Sequence, residues 1–413
     1  MKKLKLISSL VLTLTILSGC TQTTNIQVEN QEITSEVINL TVWGGSDDQQ
    51  LLAGMIESFK DNYREEATFE VTIAAAEEGE AKNKILLDIN QAPDVFSFVD
   101  DQLMELAAAG VVEPVEEESQ IKAENVEGAI EAASINEKIY AYPMTADNGY
   151  FMFYNKKYLS EQDVTTLDKM LSVASSLNKK VTMDWTSGWY LYAFFGNTGL
   201  EMGLNSDGLT NYCDWNSTSN EIKGVDVGNA MLAIAQNPGF MNGGDNQLIA
   251  GAKDGSVIAG VSGVWMASAL QQAWGDDFAA VKLPTYTVAS KQVQLSSYAG
   301  YKMVGINAYS EEKEWAIKLA QWLTNEENQT LRFMNRGLGP SNTAAAKEEV
   351  KKSPAIQALM EQSQYASLQR VGPKYWDAAS EFGRSLTEGA ASAHNMQQLM
   401  DAMVKQITMK VTD

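Results

Sequence analysis

The stretch that decides the fold begins with LTVWGG (residues 40–45), a short apolar strand pattern closed by two glycines. A helix pattern follows over 51–59, where apolar side chains recur at three- and four-residue spacing. The alternating TFEVTI (68–73) predicts a second strand, and DVFSF (94–98) predicts a third that leads into a helix over 102–109. Because strands that alternate with helices form parallel sheets with right-handed crossovers, this stretch predicts an α/β fold.

The same order of elements predicts where a ligand binds. Ligands of open parallel sheets sit beyond the carboxyl ends of the strands. In this chain those ends fall near residues 44–48 and 98–102.

Further along, residues 139–143 and 150–155 predict a pair of strands around the polar turn 145–149. Beyond this pair the sequence is mostly helical, and strand patterns return at 256–261 and 298–306.

The composition limits the classes of protein to which the chain can belong. The chain has 413 residues, of which 45% are hydrophobic, so it is long enough for two or more lobes. Its formal net charge of -22 opposes binding to nucleic acid. With His394 as the sole histidine, a multi-histidine zinc site is excluded, and we expect no metal and no cofactor.

The amino terminus has the layout of an export signal. Three lysines precede an apolar run of about 12 residues, shorter than the roughly 20 that span a bilayer. LSGC (17–20) resembles the lipobox of bacterial lipoproteins, which implies cleavage after residue 19 and acylation of Cys20. The alternative is an ordinary signal with a chance cysteine. Residues 20–37 lack apolar periodicity and predict a disordered tether, and Cys213 is assigned no chemistry.

Several later motifs carry a family resemblance. The chain contains, in family order, IYAYP (139–143) followed by FYNK (153–156), SGVW (262–265), and LPT (283–285) followed by GINA (305–308). They resemble the extracellular solute-binding proteins of ABC importers, family 1, of the maltose and maltodextrin type. The match in order and spacing runs from Leu40 to about Thr408.

The resemblance implies a two-lobed clamp that closes on a sugar, presents it to ABC permease subunits and performs no catalysis. It places the hinge crossings near 145–149, 285–291 and 339–342. The implied lobes are 38–145 with 292–339, and 146–291 with 340–413. We expect a monomer, held on the outer face of the cell membrane by its lipid.

Sugars bind to flat aromatic faces and to side chains that bond their hydroxyls. By the resemblance, Trp265 and Trp376 match the family's stacking tryptophans, and Trp189 matches its stacking tyrosine. For an arbitrary tryptophan, a place in the core is the ordinary alternative.

The resemblance also marks polar contacts. Asp101 matches an aspartate that bonds sugar hydroxyls, Phe98 an aromatic just before it, and Asp47 an acid in the first strand-to-helix loop. Asp147 or Asn148 matches the acid at the hinge. A solvated charge or a helix cap is the alternative for each aspartate.

Two positions depart from the family pattern. Gln102 stands where the maltose type has an arginine, and Asp48 stands where it has a lysine. Gln102 can still bond a hydroxyl, whereas an ionised Asp48 cannot donate. The departures leave the sugar's linkage and length open.

The leading hypothesis is therefore a lipid-anchored component of an ABC importer that binds maltose or maltodextrin. The alternatives are a binder of another oligosaccharide, a secreted glycoside hydrolase with paired carboxylates, and a surface lipoprotein that grips starch without a permease.

Overall fold

The computed structural model describes residues 37–410. The predicted signal, Cys20 and nearly all of the predicted tether lie outside the described residues. The strands are β1 (Val37–Gly44), β2 (Thr68–Ala75), β3 (Val95–Val99), β4 (Ser134–Ile135), β5 (Lys138–Ile139), β6 (Tyr142–Thr145), β7 (Phe151–Asn155), β8 (Lys180–Met183), β9 (Met202–Leu204), β10 (Asn211–Cys213), β11 (Phe240–Asn242), β12 (Val257–Ser262), β13 (Phe278–Val281), β14 (Thr285–Val288), β15 (Lys291–Gln294), β16 (Ser297–Ala299), β17 (Lys302–Ile306) and β18 (Ala366–Leu368).

The α-helices are α1 (Gln49–Tyr63), α2 (Ala81–Leu87), α3 (Leu103–Ala108), α4 (Glu118–Glu124), α5 (Glu127–Ala132), α6 (Leu167–Ser176), α7 (Gly188–Leu191), α8 (Gly224–Ala235), α9 (Asp245–Asp254), α10 (Ala267–Trp274), α11 (Lys313–Thr324), α12 (Glu326–Arg336), α13 (Glu348–Lys351), α14 (Pro354–Ser363), α15 (Lys374–Thr387) and α16 (Met396–Ile407).

Two five-stranded sheets organise the described chain. The first has the order β2-β1-β3-β17-β6, and the second has the order β11-β8-β12-β7-β13. In the first, β1 runs parallel to β2 and β3, and β17 runs antiparallel to both neighbours. In the second, β8 runs parallel to β11 and β12, and β7 runs antiparallel to both neighbours. We call the first sheet with its helices lobe 1, and the second lobe 2.

The sequence pattern explains how each lobe is held together. Helix α1 buries the stripe Leu52, Met55, Ile56 and Phe59 against the first sheet, as its spacing predicts. Strand β3 lies in the middle of that sheet and is buried at every position except its last, and four of its five residues are apolar. Lobe 2 has a separate apolar core on each face of its sheet. The predicted α/β fold with a parallel-rich sheet in each lobe is confirmed.

Both strands predicted around residues 145–149 are present as β6 and β7, but the prediction that they pair with each other is wrong. Strand β6 pairs with β17 in the first sheet, whereas β7 pairs with β12 and β13 in the second. The two strands are neighbours in sequence because the chain passes from lobe 1 to lobe 2 between them.

The return to lobe 1 comes later than the sequence predicts. The hairpin β14–β15 and the residues after it pack in lobe 2: Tyr286 donates a hydrogen bond to the carbonyl of Phe194 (2.6 Å), and Tyr298 is buried in the same core. The chain therefore re-enters lobe 1 between Ala299 and Lys302, and not after residue 291. Near the third predicted crossing, Pro340 bridges Thr145.

Candidate functional site

A cavity of about 200 Å³ lies between the two lobes, at the edge where the carboxyl ends of β1 and β6 meet. Most of its lining is charged and comes from lobe 1: Asp47, Asp48, Glu77, Glu78, Lys302 and Arg336. Asp147 lines it where the chain leaves lobe 1, and Trp265 closes it from lobe 2. The cavity thus brings together three residues that the sequence predicts for the site. A larger hollow of about 390 Å³ beside α4 and α11 contains none of them.

Asp147 is a buried carboxylate without a partner. It is 2% exposed, and neither of its oxygens accepts a hydrogen bond from the described residues. Burial raises its pKa, and the nearby Lys302 ammonium and Thr145 hydroxyl act in the opposite direction. Asn148, the other residue predicted for this position, is half-buried in the same cavity, and its backbone N–H donates to the carbonyl of Gly300 (3.1 Å). A buried carboxylate that faces a cavity is an acceptor available to a ligand.

Asp101 and Asp100 form a short turn after β3. Asp101 accepts a hydrogen bond from the Gln369 amide (3.0 Å), and its other oxygen has no partner in the described residues. Burial raises its pKa to about 6. Asp100 is more deeply buried, accepts from the Tyr301 N–H (2.9 Å) and has a pKa raised by burial to about 7. Asp101 is thus the member of this pair that lies nearer the surface.

Two predicted contacts do not point into the cleft. Phe98 is completely buried in the core of lobe 1, where its ring centroid lies 5.5 Å from that of Phe96. Gln102 is buried, and its side-chain amide forms two hydrogen bonds with the backbone. Its oxygen accepts from the Lys82 N–H (2.9 Å), and its nitrogen donates to the carbonyl of Glu78 (2.8 Å). Gln102 therefore braces the loop before α2, and Phe98 supports the sheet.

The first strand-to-helix loop separates its two aspartates. Asp48 is buried and forms ion pairs with Arg332 and Arg336 of α12. Asp47 is exposed and lies 3.4 Å from Arg336. Asp48 was expected to change the polar end of the site, but its charge is used to fasten α12 to the loop. Each oxygen of Asp48 accepts from one of these arginines, so the side chain positions α12 and keeps no oxygen without a partner for a ligand.

The facing surface of lobe 2 is aromatic. Trp265 follows β12 in a short turn and is 40% exposed; the planes of its ring and that of Trp189 are inclined by 32°, with the ring centroids 5.9 Å apart. Trp189 is the second residue of α7, and its Nε1–H is buried without a partner in the described chain. Together the two rings form a continuous aromatic surface.

An aspartate holds the exposed tryptophan in place. The Trp265 Nε1–H donates to one oxygen of Asp245 (2.8 Å), and the Ser262 hydroxyl donates to the other (2.6 Å). Asp245 is the first residue of α9, where a negative charge is favoured by the helix dipole. This role is not evident from the sequence, because an aspartate in the first turn of a helix is an ordinary way for a helix to begin.

Trp376 lies on α15, behind a group of buried tyrosines. Its ring centroid lies 6.3 Å from that of Tyr298 and 5.1 Å from that of Tyr375. Tyr298 in turn stacks on Tyr192, with 4.1 Å between centroids. These tyrosines fix the position of Trp376 on one side, and the residue is partly exposed.

Other kinds of site find no support in residues 37–410. That part of the chain contains no group of three or more His, Cys, Asp or Glu side chains placed to hold a metal ion. It also contains no helix that is both long and apolar enough to cross a membrane. Burial raises the pKa of the Cys213 thiol to about 12, which opposes thiolate chemistry.

Comparison with known proteins identifies the family. The model of the bacterial extracellular solute-binding protein family matches residues 55–358. The chain belongs to this family. Its members bind solutes and are not enzymes.

Two curated members of this solute-binding group resemble the chain. The galactooligosaccharide-binding protein of Bacillus subtilis (strain 168) is 25% identical over 288 residues, which are 66% of each chain. The maltotriose-binding protein of Pyrococcus abyssi is 25% identical over 303 residues, which are 70% of this chain and 64% of that relative. The match thus spans just under two thirds of the relatives' length.

A solved structure shows the same two-lobed fold. The maltodextrin-binding protein of L. casei BL23, solved without ligand, superposes with a TM-score of 0.79 at 24% sequence identity. The superposition covers 91% of this chain and all of the other. The predicted periplasmic-binding-protein fold is therefore confirmed for this solute-binding protein.

Proposed function

We propose that this solute-binding protein is the sugar-binding component of an ABC importer and that it holds a maltodextrin, an α-linked glucose oligosaccharide, between its lobes. The observation that carries the proposal is the pairing of an aromatic surface on lobe 2 with carboxylate oxygens that lack partners among the described residues. Trp265 and Trp189 supply the surface. Both oxygens of Asp147, which lines the cavity, and one oxygen of Asp101 are the available acceptors.

This pairing matches the chemistry of a sugar. One face of a glucose ring carries C–H groups that pack on an indole, while its hydroxyls point outward and donate to carboxylate oxygens. The acids that line the cavity outnumber the cations, so a sugar that carries its own negative charge is disfavoured. A neutral oligosaccharide satisfies both surfaces.

The position of the cavity supports a clamp. It is bounded by residues of both lobes and by the passage at Asp147 and Asn148, so a bound sugar makes contacts with both sides at once. A ligand that binds the closed arrangement more tightly shifts the population of the protein toward it. We propose that the permease recognises that closed form, and that the lobe boundaries follow the three chain passages described above.

The family relationship supports an extracellular place of action. We propose that acylation of Cys20 anchors the protein to the outer face of the cell membrane, with residues 20–37 as the tether. Metabolic labelling with a palmitate analogue tests this: wild type should carry the label, and Cys20→Ala should not. An unlabelled wild type would contradict the lipid anchor and would leave the sugar-binding proposal unaffected.

A second candidate sugar has a specific basis. The Bacillus subtilis relative is a galactooligosaccharide-binding protein, and its identity to this chain equals that of the maltotriose-binding relative. Galactose differs from glucose in the direction of one hydroxyl, so the two sugars would use the same aromatic surface but different polar contacts.

Isothermal titration calorimetry separates these candidates. The chain without residues 1–20 is titrated with maltose, maltotriose, maltotetraose, galactooligosaccharides and unrelated disaccharides. Saturable one-to-one binding of the α-glucans alone is expected. Heat from galactooligosaccharides alone would retain the sugar-binding clamp and discard the maltodextrin.

A further inference from the structure

The edge of lobe 1 that faces the cleft contains a lysine that strand order alone would not reveal. Lys302 is the first residue of β17, which runs antiparallel to β3 and β6. Its register partners are Val99 and Thr145, the last residues of those strands. The amino end of β17 therefore lies at the same edge as their carboxyl ends, which is the ligand edge of such a sheet.

The side chain of Lys302 has unused donor capacity. It lines the cavity between the lobes, and its one ion-pair partner among residues 37–410 is Glu78, with Nζ and Oε2 3.8 Å apart. That separation exceeds a hydrogen bond, and no described group accepts one from this ammonium. An ammonium has three N–H donors, so Lys302 can donate to a ligand without giving up a bond.

Asp147 provides the matching acceptor in the same cavity. It is nine-tenths buried or more, and both of its oxygens lack partners. A sugar hydroxyl both donates and accepts, so it is satisfied best where a free donor and a free acceptor lie together. The cavity supplies this combination at the passage between lobes.

Resting on the proposed sugar-binding function, we propose that Lys302 is a sugar-binding residue that donates to the hydroxyls from which Asp147 accepts. It provides at the first sheet's ligand edge the cationic donor that Asp48 and Gln102 do not provide. Asp48 is held by two arginines, and the Gln102 amide is held by the backbone. In this chain the cationic donor therefore comes from Lys302 of β17.

The test measures sugar affinity by calorimetry in Lys302→Met, Lys302→Gln and a control, Lys60→Met. Lys60 has a similar side-chain exposure, 27% against 23% for Lys302, and it too has one ion pair, with Glu57. It lies near the far end of α1, about 16 Å along the helix from the cleft. A hydrogen bond from a charged donor corresponds to a loss of about 10- to 100-fold for Lys302→Met. Lys302→Gln retains a donor and should lose less, and Lys60→Met should bind like wild type.

A double variant separates sugar contact from simple neutralisation of Glu78. In Glu78→Gln with Lys302→Met, both members of the ion pair lose their charge. The proposal expects affinity to stay low, because the donor is still missing. Recovery of wild-type affinity in the double variant would overturn the proposal, as would Lys302→Met that folds and binds within about twofold of wild type.

The choice of sugar keeps this test apart from the maltodextrin proposal. The variants are measured with whichever oligosaccharide saturates wild type. If that sugar is not an α-glucan, the maltodextrin proposal fails while the role of Lys302 is still decided. If no sugar in the panel binds, both proposals fail.

Discussion

The two lobes share one strand order but present opposite chemistry where they face each other. Each sheet has four strands in one direction and one antiparallel strand from the segment that passes between lobes. In lobe 1 the facing edge carries Asp47, Glu78 and Lys302, whereas in lobe 2 it carries Trp189 and Trp265. One topology therefore sets the positions of the loops, and the residues placed on those loops decide what each lobe recognises.

In the proposed function, this division gives each lobe a different role. We expect the aromatic surface of lobe 2 to supply affinity, because its contact area is largely independent of hydroxyl direction. We expect the charged edge of lobe 1 to supply discrimination, because its hydrogen bonds are directional. Variants on the two sides should therefore change different properties of binding.

The largest effect is expected from Trp265→Ala, which removes the exposed ring of lobe 2. We expect an affinity loss of about 30-fold or more for every sugar that binds, because a central tryptophan provides much of the contact energy. Calorimetry checks this, with the exposed aromatic variant Tyr309→Ala of lobe 1 as control. An unchanged affinity in Trp265→Ala would remove lobe 2 from the binding site.

Asp147→Asn should change binding and stability in opposite directions. It weakens the acceptor, so affinity should fall by about 10-fold. It also removes a buried charge whose pKa is raised by burial, so the sugar-free protein should melt at a higher temperature at pH 8.

Asp163→Asn is the matched control. Asp163 accepts from Ser160, and this bond lowers its pKa, so the substitution should not raise the melting temperature or alter affinity. Wild-type affinity in Asp147→Asn would show that lobe 1 does not use this carboxylate.

A smaller loss is expected from Asp245→Asn, which disturbs the orientation of Trp265. An asparagine oxygen can accept from the Trp265 ring or from Ser262, while its NH₂ group cannot accept at all. We expect an affinity loss of about 3- to 10-fold, consistent with one neutral hydrogen bond.

A readout beyond affinity distinguishes orientation from general damage. The indole N–H resonance of Trp265, assigned through its loss in Trp265→Phe, should shift in Asp245→Asn. The control is Asp226→Asn, another first-turn helix acid that bonds backbone instead of a ring. An unmoved resonance would contradict the positioning role.

The smallest effect concerns stability alone and comes from Asp100. Burial raises its pKa to about 7, above the roughly 4 of an unfolded chain, so the folded state binds this proton more tightly. The stabilising contribution is complete below about pH 4 and is lost as pH rises toward 7. Asp100→Asn should reduce the fall in melting temperature between pH 5 and pH 8, because asparagine does not ionise. An unaltered fall would show that Asp100 is not its source.

How much the sequence predicts also differs between the lobes. Helix α1 and strands β1 to β3 follow from periodicity because each is amphipathic or flanked by glycine and proline. Strands β8 and β11 of lobe 2 are only four and three residues long, too short for a period to show. The sequence therefore describes them as parts of a mostly helical region.

The candidate site, too, is only partly predictable from the sequence. Trp265 and Asp147 were predicted from family motifs, and the structure brings both to one cavity. Phe98 was misplaced because β3 is buried on both faces, so proximity to its end does not imply exposure. Lys302 could not be found from parallel-strand ends, because it lies at the beginning of an antiparallel strand whose partners only the register reveals.

A crystal structure of the protein with maltotriose tests most directly whether an oligosaccharide lies between an aromatic lobe and a charged lobe. We expect a glucose ring flat on Trp265, with its hydroxyls within hydrogen-bond distance of Asp147 and Lys302. A sugar seated outside this cavity, or one that touches neither Trp265 nor Asp147, would contradict it.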